Sequence, residues 1–157
     1  MQPCSRLHLF FNTSISSIKN KRYCSTVHFQ KPNYTYTMMN SKDHPWMDLI
    51  RNGTKTVEGR INSIAFSCLR KNHFVRFHNR KKGILCKVTF TRFYKDFEMM
   101  LENEGVKNLA PHVCTHGNEE DWKQAALKLY HSFPGAERVK QKGAIAIGLK
   151  FIRDYNE

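Results

Sequence analysis

The chain has 157 residues, with 26 Lys and Arg against 13 Asp and Glu, a formal net charge of +13. That length suits one domain with an appendage and is long enough to bury a core. Five scattered cysteines without a C-x-x-C pair exclude a disulfide framework and fit a reducing compartment, and the early apolar run Leu7–Phe11 is too short to span a membrane.

The first 42 residues contain no acid but carry Arg6, Lys19, Lys21, Arg22, Lys31 and Lys42 among many serines, threonines and asparagines. A basic, acid-free, Ser-rich leader reads as an organellar transit peptide. Arg22-Tyr-Cys-Ser25 resembles the arginine-containing site cut by the mitochondrial processing peptidase, with cleavage after Cys24. The expectation is a leader over 1–32, mitochondrial import, and a domain over 33–157. A plant organelle or an uncut basic tail is the alternative.

Asn33–Met39 alternates Tyr34, Tyr36 and Met38 with smaller or polar residues, which predicts a half-buried strand. Pro45 then opens a short helix through Asn52, with Trp46, Leu49 and Ile50 at helical spacing, and Gly53 ends it. Thr54–Asn62 is predicted as a strand by its β-branched residues. Gly53-Thr-Lys-Thr-Val-Glu-Gly-Arg60 thereby concentrates Lys55, Glu58 and Arg60 in one element. In a straight strand Glu58 and Arg60 share a face and Lys55 points the other way. Lys55 joins them only if it sits in the turn after Gly53 or if a bulge re-aims it. Such a set is either a self-satisfied ion-pair network or a site for a polar ligand.

Residues 63–71 are predicted as loop. His73–His78 and Gly83–Tyr94 are predicted strands joined by a basic turn, the second alternating Ile84, Cys86, Val88 and Phe90 with Leu85, Lys87, Thr89 and Thr91. Asp96 caps a helix through Asn103 with Phe97, Met100 and Leu101 inward, and a further short helix runs from Glu104 towards Pro111. Asn118 followed by Glu119, Glu120 and Asp121 is a strong helix start, with acids on the positive end of the dipole. That helix carries Trp122, Ala125, Ala126, Leu129 and Tyr130 on one stripe, and Gly143–Ile152 is a closing apolar strand. Strands with a few helices and no βαβ rhythm fit an α+β barrel.

Arg51 to Lys95 holds twelve basic residues and one acid, whereas Asp96 to Asp121 holds seven acids and one base. Arg70, Lys71, Arg76, Arg80, Lys81 and Lys82 lie among Phe66, His73, Phe74, Phe77 and His78. Cations interleaved with aromatics suit nucleic acid, where phosphates are neutralised and rings stack on bases. The other reading makes Phe74 and Phe77 core residues with Arg76 on the solvent side. His112-x-Cys114-x-His116 offers zinc-capable side chains but lacks a spaced partner motif, so no metal and no cofactor is expected.

His44-Pro-Trp-Met-Asp-Leu-Ile-Arg-Asn-Gly-Thr-Lys-Thr-Val-Glu-Gly-Arg60 resembles the signature of the ASCH superfamily, in which a short helix precedes a G-x-K-x-x-E-x-R element. The likeness continues in Phe93–Leu101, Tyr130-His-Ser-Phe-Pro-Gly135 and Gly143–Gly148, covering about residues 33 to 152 in order. The resemblance implies a PUA-like mixed β-barrel with flanking helices and a cleft at its mouth. It gathers Lys55, Glu58 and Arg60 in that cleft as ligand-binding residues, with RNA or a nucleotide as partner and no membrane; Tyr130, at the end of the long helix, either joins them as a ligand-binding residue or packs in the core. One bacterial branch of the superfamily hydrolyses N4-acetylcytidine with a lysine, a threonine and a glutamate. Lys55 matches that lysine, and Glu58 stands where that branch has its threonine. An amidohydrolase using Lys55 and Glu58, with Thr56 as a displaced hydroxyl, is therefore the alternative function. A module for an acidic protein partner is a third.

Overall fold

A computed structural model describes residues 31–80 and 82–155. The leader read at 1–32, apart from Lys31 and Pro32, lies outside the described residues, as does Lys81. Five strands, β1 (Tyr34–Thr37), β2 (Val57–Ile61), β3 (Phe74–Asn79), β4 (Lys82–Tyr94) and β5 (Ala144–Asp154), form one sheet in the order β1-β3-β4-β5-β2. Only β1 and β3 pair in parallel; the other neighbours are antiparallel. The sheet curls into a half-barrel, the PUA-like α+β architecture expected from the sequence.

Its hollow side is apolar. Val75 and Phe77 on β3 are register partners of Cys86 and Ile84 on β4, and all four are fully buried. Register shifts in the β4–β5 ladder between Leu85 and Cys86 and between Val88 and Phe90 bend the long strands.

Helices close the hollow. α1 (Trp46–Arg51) precedes β2, and α2 (Ile64–Ser67) occupies part of the stretch predicted as loop. α3 (Phe97–Glu104) is capped by the Asp96 carboxylate, which accepts from the Met99 amide, and α4 (Val106–Leu109) follows. α5 (Glu119–Ser132) begins with a full capping box between Asn118 and Asp121. α6 (Val139–Lys142) leads into β5. On α5 the inward stripe is Ala126 and Tyr130 with Trp122, Leu127 and Leu129 half-buried; Ala125, expected inward, is exposed.

The basic and acidic blocks of sequence meet in space. Arg92 on β4 bonds both carboxylate oxygens of Glu104 at 3.1 Å, and the Tyr94 hydroxyl donates to the same carboxylate at 2.6 Å. Cys68, Cys86 and Cys114 are free thiols.

Candidate binding cleft

The strand predicted over Thr54–Asn62 starts only at Val57, and that shortening builds the site. Gly53 adopts φ +79°, and its amide donates to Ile50 O, ending α1. The Asn52 side-chain carbonyl then accepts from the Thr54 amide and hydroxyl, and the Lys55 amide donates to Leu49 O at 2.9 Å. Lys55 is thus held in the turn and its side chain runs inward, while Glu58 and Arg60 come from the same face of β2. The first of the two ways by which Lys55 meets its neighbours is the one the chain takes.

Lys55 is 1% exposed at its side chain and Glu58 8%. Lys55 Nζ lies 3.2 Å from Glu58 Oε2, donates to Val57 O at 2.7 Å and to Leu109 O, and sits 4.8 Å from the centre of the Trp46 ring. An ammonium has three donors, and all three are engaged. Arg60 Nε donates to Glu58 Oε1 at 2.6 Å, and its guanidinium lies over Phe66. Arg60 is 30% exposed at its side chain, and its terminal nitrogens donate no hydrogen bond to the described residues.

Burial opposes ionisation of Glu58, but the Lys55 and Arg60 cations outweigh it and hold the carboxyl below its ordinary range. Burial pulls the Lys55 ammonium down, with Glu58 pulling back. The carboxylate between two cations remains ionised, and its field is what keeps Lys55 in place. Burial raises the Tyr130 phenol, and the Glu58 charge adds to the rise.

These groups line a cavity of about 480 Å³ between β2 and the surrounding helices. Met38, Trp46, Phe66, Phe97, Tyr130 and Phe133 supply apolar and aromatic walls, and Arg138 and Lys142 stand with Lys55 and Arg60 as further cations. Glu58 is the acid in this lining. Gly59 lets β2 approach the helices: a Cβ there falls 2.6 Å from both Met100 Cε and the Tyr130 hydroxyl. Thr56 is not part of the cavity. It is exposed, and its hydroxyl bonds Asn108 Oδ1 at 3.2 Å.

The predicted nucleic-acid cluster is not one patch. Arg70 and Lys71 lie before β3 and Arg80 and Lys82 beyond it, separated by about 20 Å of six-residue strand. Arg70 is turned back on the end of α2, donating to Ser67 O at 2.6 Å and Leu69 O at 2.7 Å. Arg76, expected on the solvent side, is 4% exposed, its guanidinium over the Tyr155 ring at 5.2 Å. Parity sets Arg76 on the same face as its buried register partner Leu85, and Tyr155 from the C-terminal segment packs against the guanidinium. Phe77 is fully buried, whereas Phe74 is half-buried on the opposite face.

Sequence reasoning missed a second layer behind Lys55. His112 meets the Trp46 ring edge-on at 4.4 Å, and His44 stacks on Trp46 at 5.9 Å. Burial, with the His44 and Lys55 charges, lowers the His112 imidazole to about 4. The only local signal at His112 is the His112-x-Cys114-x-His116 spacing; among the described residues no group of three or more His, Cys, Asp or Glu is placed to hold a metal ion. No helix among the described residues is long and apolar enough to cross a membrane.

The curled α+β half-barrel is a PUA-like fold, of RNA-binding type. The sequence model of the ASCH domain matches residues 41–152, and the chain belongs to that family. The crystal structure of hypothetical protein PH0355 is similar at a TM-score of 0.63 and 26% identity, with 76% of this chain and 98% of that one covered. The solution structure of protein PF0455 from Pyrococcus furiosus is similar in fold, with a TM-score of 0.55, 24% identity, and coverage of 75% and 97% respectively. No curated protein gives a significant match.

Proposed function

We propose that the cleft binds a single nucleotide unit, presented by RNA or free, and that Glu58 reads the base while Arg60 meets a carbonyl or phosphate. The observation that supports this most is the ionised, nearly buried Glu58 held between Lys55 and Arg60 inside an aromatic-walled cavity. A fixed carboxylate accepts hydrogen bonds from an exocyclic amine and discriminates bases in a way that a phosphate contact does not. Arg60 offers its terminal nitrogens as a planar fork. Lys55, with every donor engaged, is a positioning residue for Glu58.

The same geometry argues against the amidohydrolase alternative. Thr56 stands outside the cavity. Lys55 has no donor left for an oxyanion. A carboxylate held below its ordinary range is a weak proton acceptor at neutral pH.

The test is titration calorimetry of the full chain with cytidine, adenosine and their 5′-monophosphates and with N4-acetylcytidine, the last also followed by chromatography for cytidine and acetate. Base-selective binding without turnover is expected, and Glu58→Gln should weaken the preferred ligand by about 10- to 100-fold, the worth of a hydrogen bond to a charged group. Turnover abolished by Glu58→Gln would replace this reading with the amidohydrolase. Binding of none of these ligands would end it.

A further inference from the structure

A second basic feature lies on the other face of the sheet. Phe74 on β3, Lys87 on β4 and Lys150 on β5 are register partners in one row across three strands. Their neighbours Val75, Cys86 and Leu149 are buried on the hollow side, so by strand alternation this row points outward. Lys71 joins from the turn before β3. There Asn72 takes φ +74°, its amide donates to Val88 O at 2.8 Å, and the Val88 amide donates to His73 O at 2.8 Å, which docks the turn against β4. Together Lys71, Phe74, Lys87, Thr89, Lys150 and Ile152 line an open groove of about 440 Å³ that has no acidic side chain in its walls.

Lysines placed directly opposite on adjacent strands repel, and sheets ordinarily set opposite charges there. Here Lys87 faces Lys150, with Lys71 on the same groove, and among the described residues none of the three has an ion-pair or hydrogen-bond partner for its ammonium. Three unpartnered cations beside a half-buried phenyl ring and without a counter-charge form a receptor for a polyanion that carries flat groups.

We propose that this groove holds the phosphodiester backbone of a single-stranded RNA segment, with Lys71, Lys87 and Lys150 on phosphates and Phe74 offering its ring to a base. It deepens the cleft reading by assigning an RNA chain as the partner, and rests on that reading only for the class of ligand. Adjacent strands set the Lys87 and Lys150 Cα atoms about 5 Å apart, so two long, mobile side chains reach one phosphate or two successive ones. Lysine meets phosphate as a point charge and carries no base information, so the groove supplies affinity and the cleft supplies selection.

The test uses the full chain and a fluorescein-labelled 12-mer of oligouridylate, with anisotropy read across about 50 to 200 mM salt, the range over which phosphate contacts dominate. Lys71→Ala/Lys87→Ala/Lys150→Ala should weaken binding and make the slope of log K against log[salt] shallower by about 2, since each single-strand phosphate contact contributes about 0.7. Lys87→Glu gives the sharper arm. It turns a repelling pair into an attracting one, so the melting temperature should rise by about 1–4 °C while RNA affinity falls. A loss of binding through misfolding cannot produce that combination. Mononucleotide binding in the cleft should survive both sets of changes, which separates the groove from the cleft. Unchanged oligonucleotide affinity and slope in the folded triple variant would overturn the proposal. So would a triple variant that lost binding to polyglutamate but kept RNA, because the groove would then serve an acidic protein.

Discussion

Lys55→Met isolates the interaction on which the cleft depends. Methionine keeps most of the stem length and apolar surface, but removes three engaged donors. The Val57 and Leu109 carbonyls lose their side-chain partner, and an unsatisfied buried acceptor costs about 1–3 kcal/mol. Glu58 loses one of its two cations in a site where it is 8% exposed at its side chain. Against this, the ammonium no longer has to be desolvated, and Arg60 still covers Oε1. Breaking a buried pair costs about 3–5 kcal/mol, and the surviving Arg60 contact places this case at about 3.

That is a large share of a domain stability of about 5–15 kcal/mol. With a urea slope of about 1–3 kcal/mol/M, the midpoint of unfolding should drop by about 1–3 M. Lys55→Met/Glu58→Gln should be no less stable than Lys55→Met alone, because the neutral amide removes the under-compensated charge. The cycle should therefore show a coupling of at least about 1 kcal/mol. Urea unfolding of the wild type, both single variants and the double variant reads all of this. A single variant within about 0.5 kcal/mol of wild type, the ordinary range for a surface change, would refute the structural role of Lys55. Additivity of the two changes would refute the coupling to Glu58.

Acid stability should fall in two stages. His112 is lowered from 6.5 to about 4, so the unfolded chain binds its proton first, and stability is lost as pH falls from 6.5 towards 4. Glu58 is held below its unfolded value, so its contribution is full above about 4.3 and is lost as pH falls through the folded value. His112→Phe should flatten the first stage and Glu58→Gln the second, as seen in urea midpoints across pH; interchange of the two effects would contradict the assignment. Gly59→Ala should destabilise by about 1–3 kcal/mol through overpacking against Met100 and Tyr130, and should narrow the cleft, so calorimetry would show weaker nucleotide binding along with a lower melting temperature. Asn118→Ala should cost about 1 kcal/mol by removing the capping box of α5, and a thermal melt checks it.

Local signals carried most of the architecture. Period-2 alternation marked β1 and β4, the apolar run Gly143–Ile152 marked β5, and the Asp96 and Asn118 caps marked α3 and α5 within a residue or so, because capping is chemistry between near neighbours. The site was half legible. Parity put Glu58 and Arg60 together, but the place of Lys55 hung on where β2 begins. That start is fixed by Asn52, Gly53 and a hydrogen bond from Lys55 back to Leu49, which β-propensity over Thr54–Asn62 does not register. Arg76 was misplaced for the opposite reason. Alternation correctly assigned it to the outer face, but the cover over that face comes from Tyr155 and its surroundings, far away in sequence. His112 reaches Trp46 across more than sixty positions, and no local pattern announces such a contact.

Charge counts alone also hide that the basic residues differ in kind. Lys55 and the Nε of Arg60 are already paired with Glu58, so that energy is gained without ligand, and burial shields Lys55 and Glu58 from ionic strength. Lys87 and Lys150 oppose each other at the surface, and their repulsion is screened by salt and relieved by a bound polyanion. Moderate salt should therefore stabilise the free protein through the groove while leaving the cleft trio unchanged. In thermal melts from about 20 to 200 mM sodium chloride, across which screening tightens to about 10 Å or less, wild type should gain stability and Lys87→Glu should gain less or lose. Equal salt responses in the two proteins would show that the groove lysines do not repel, and the argument for a polyanion there would lose its energetic ground.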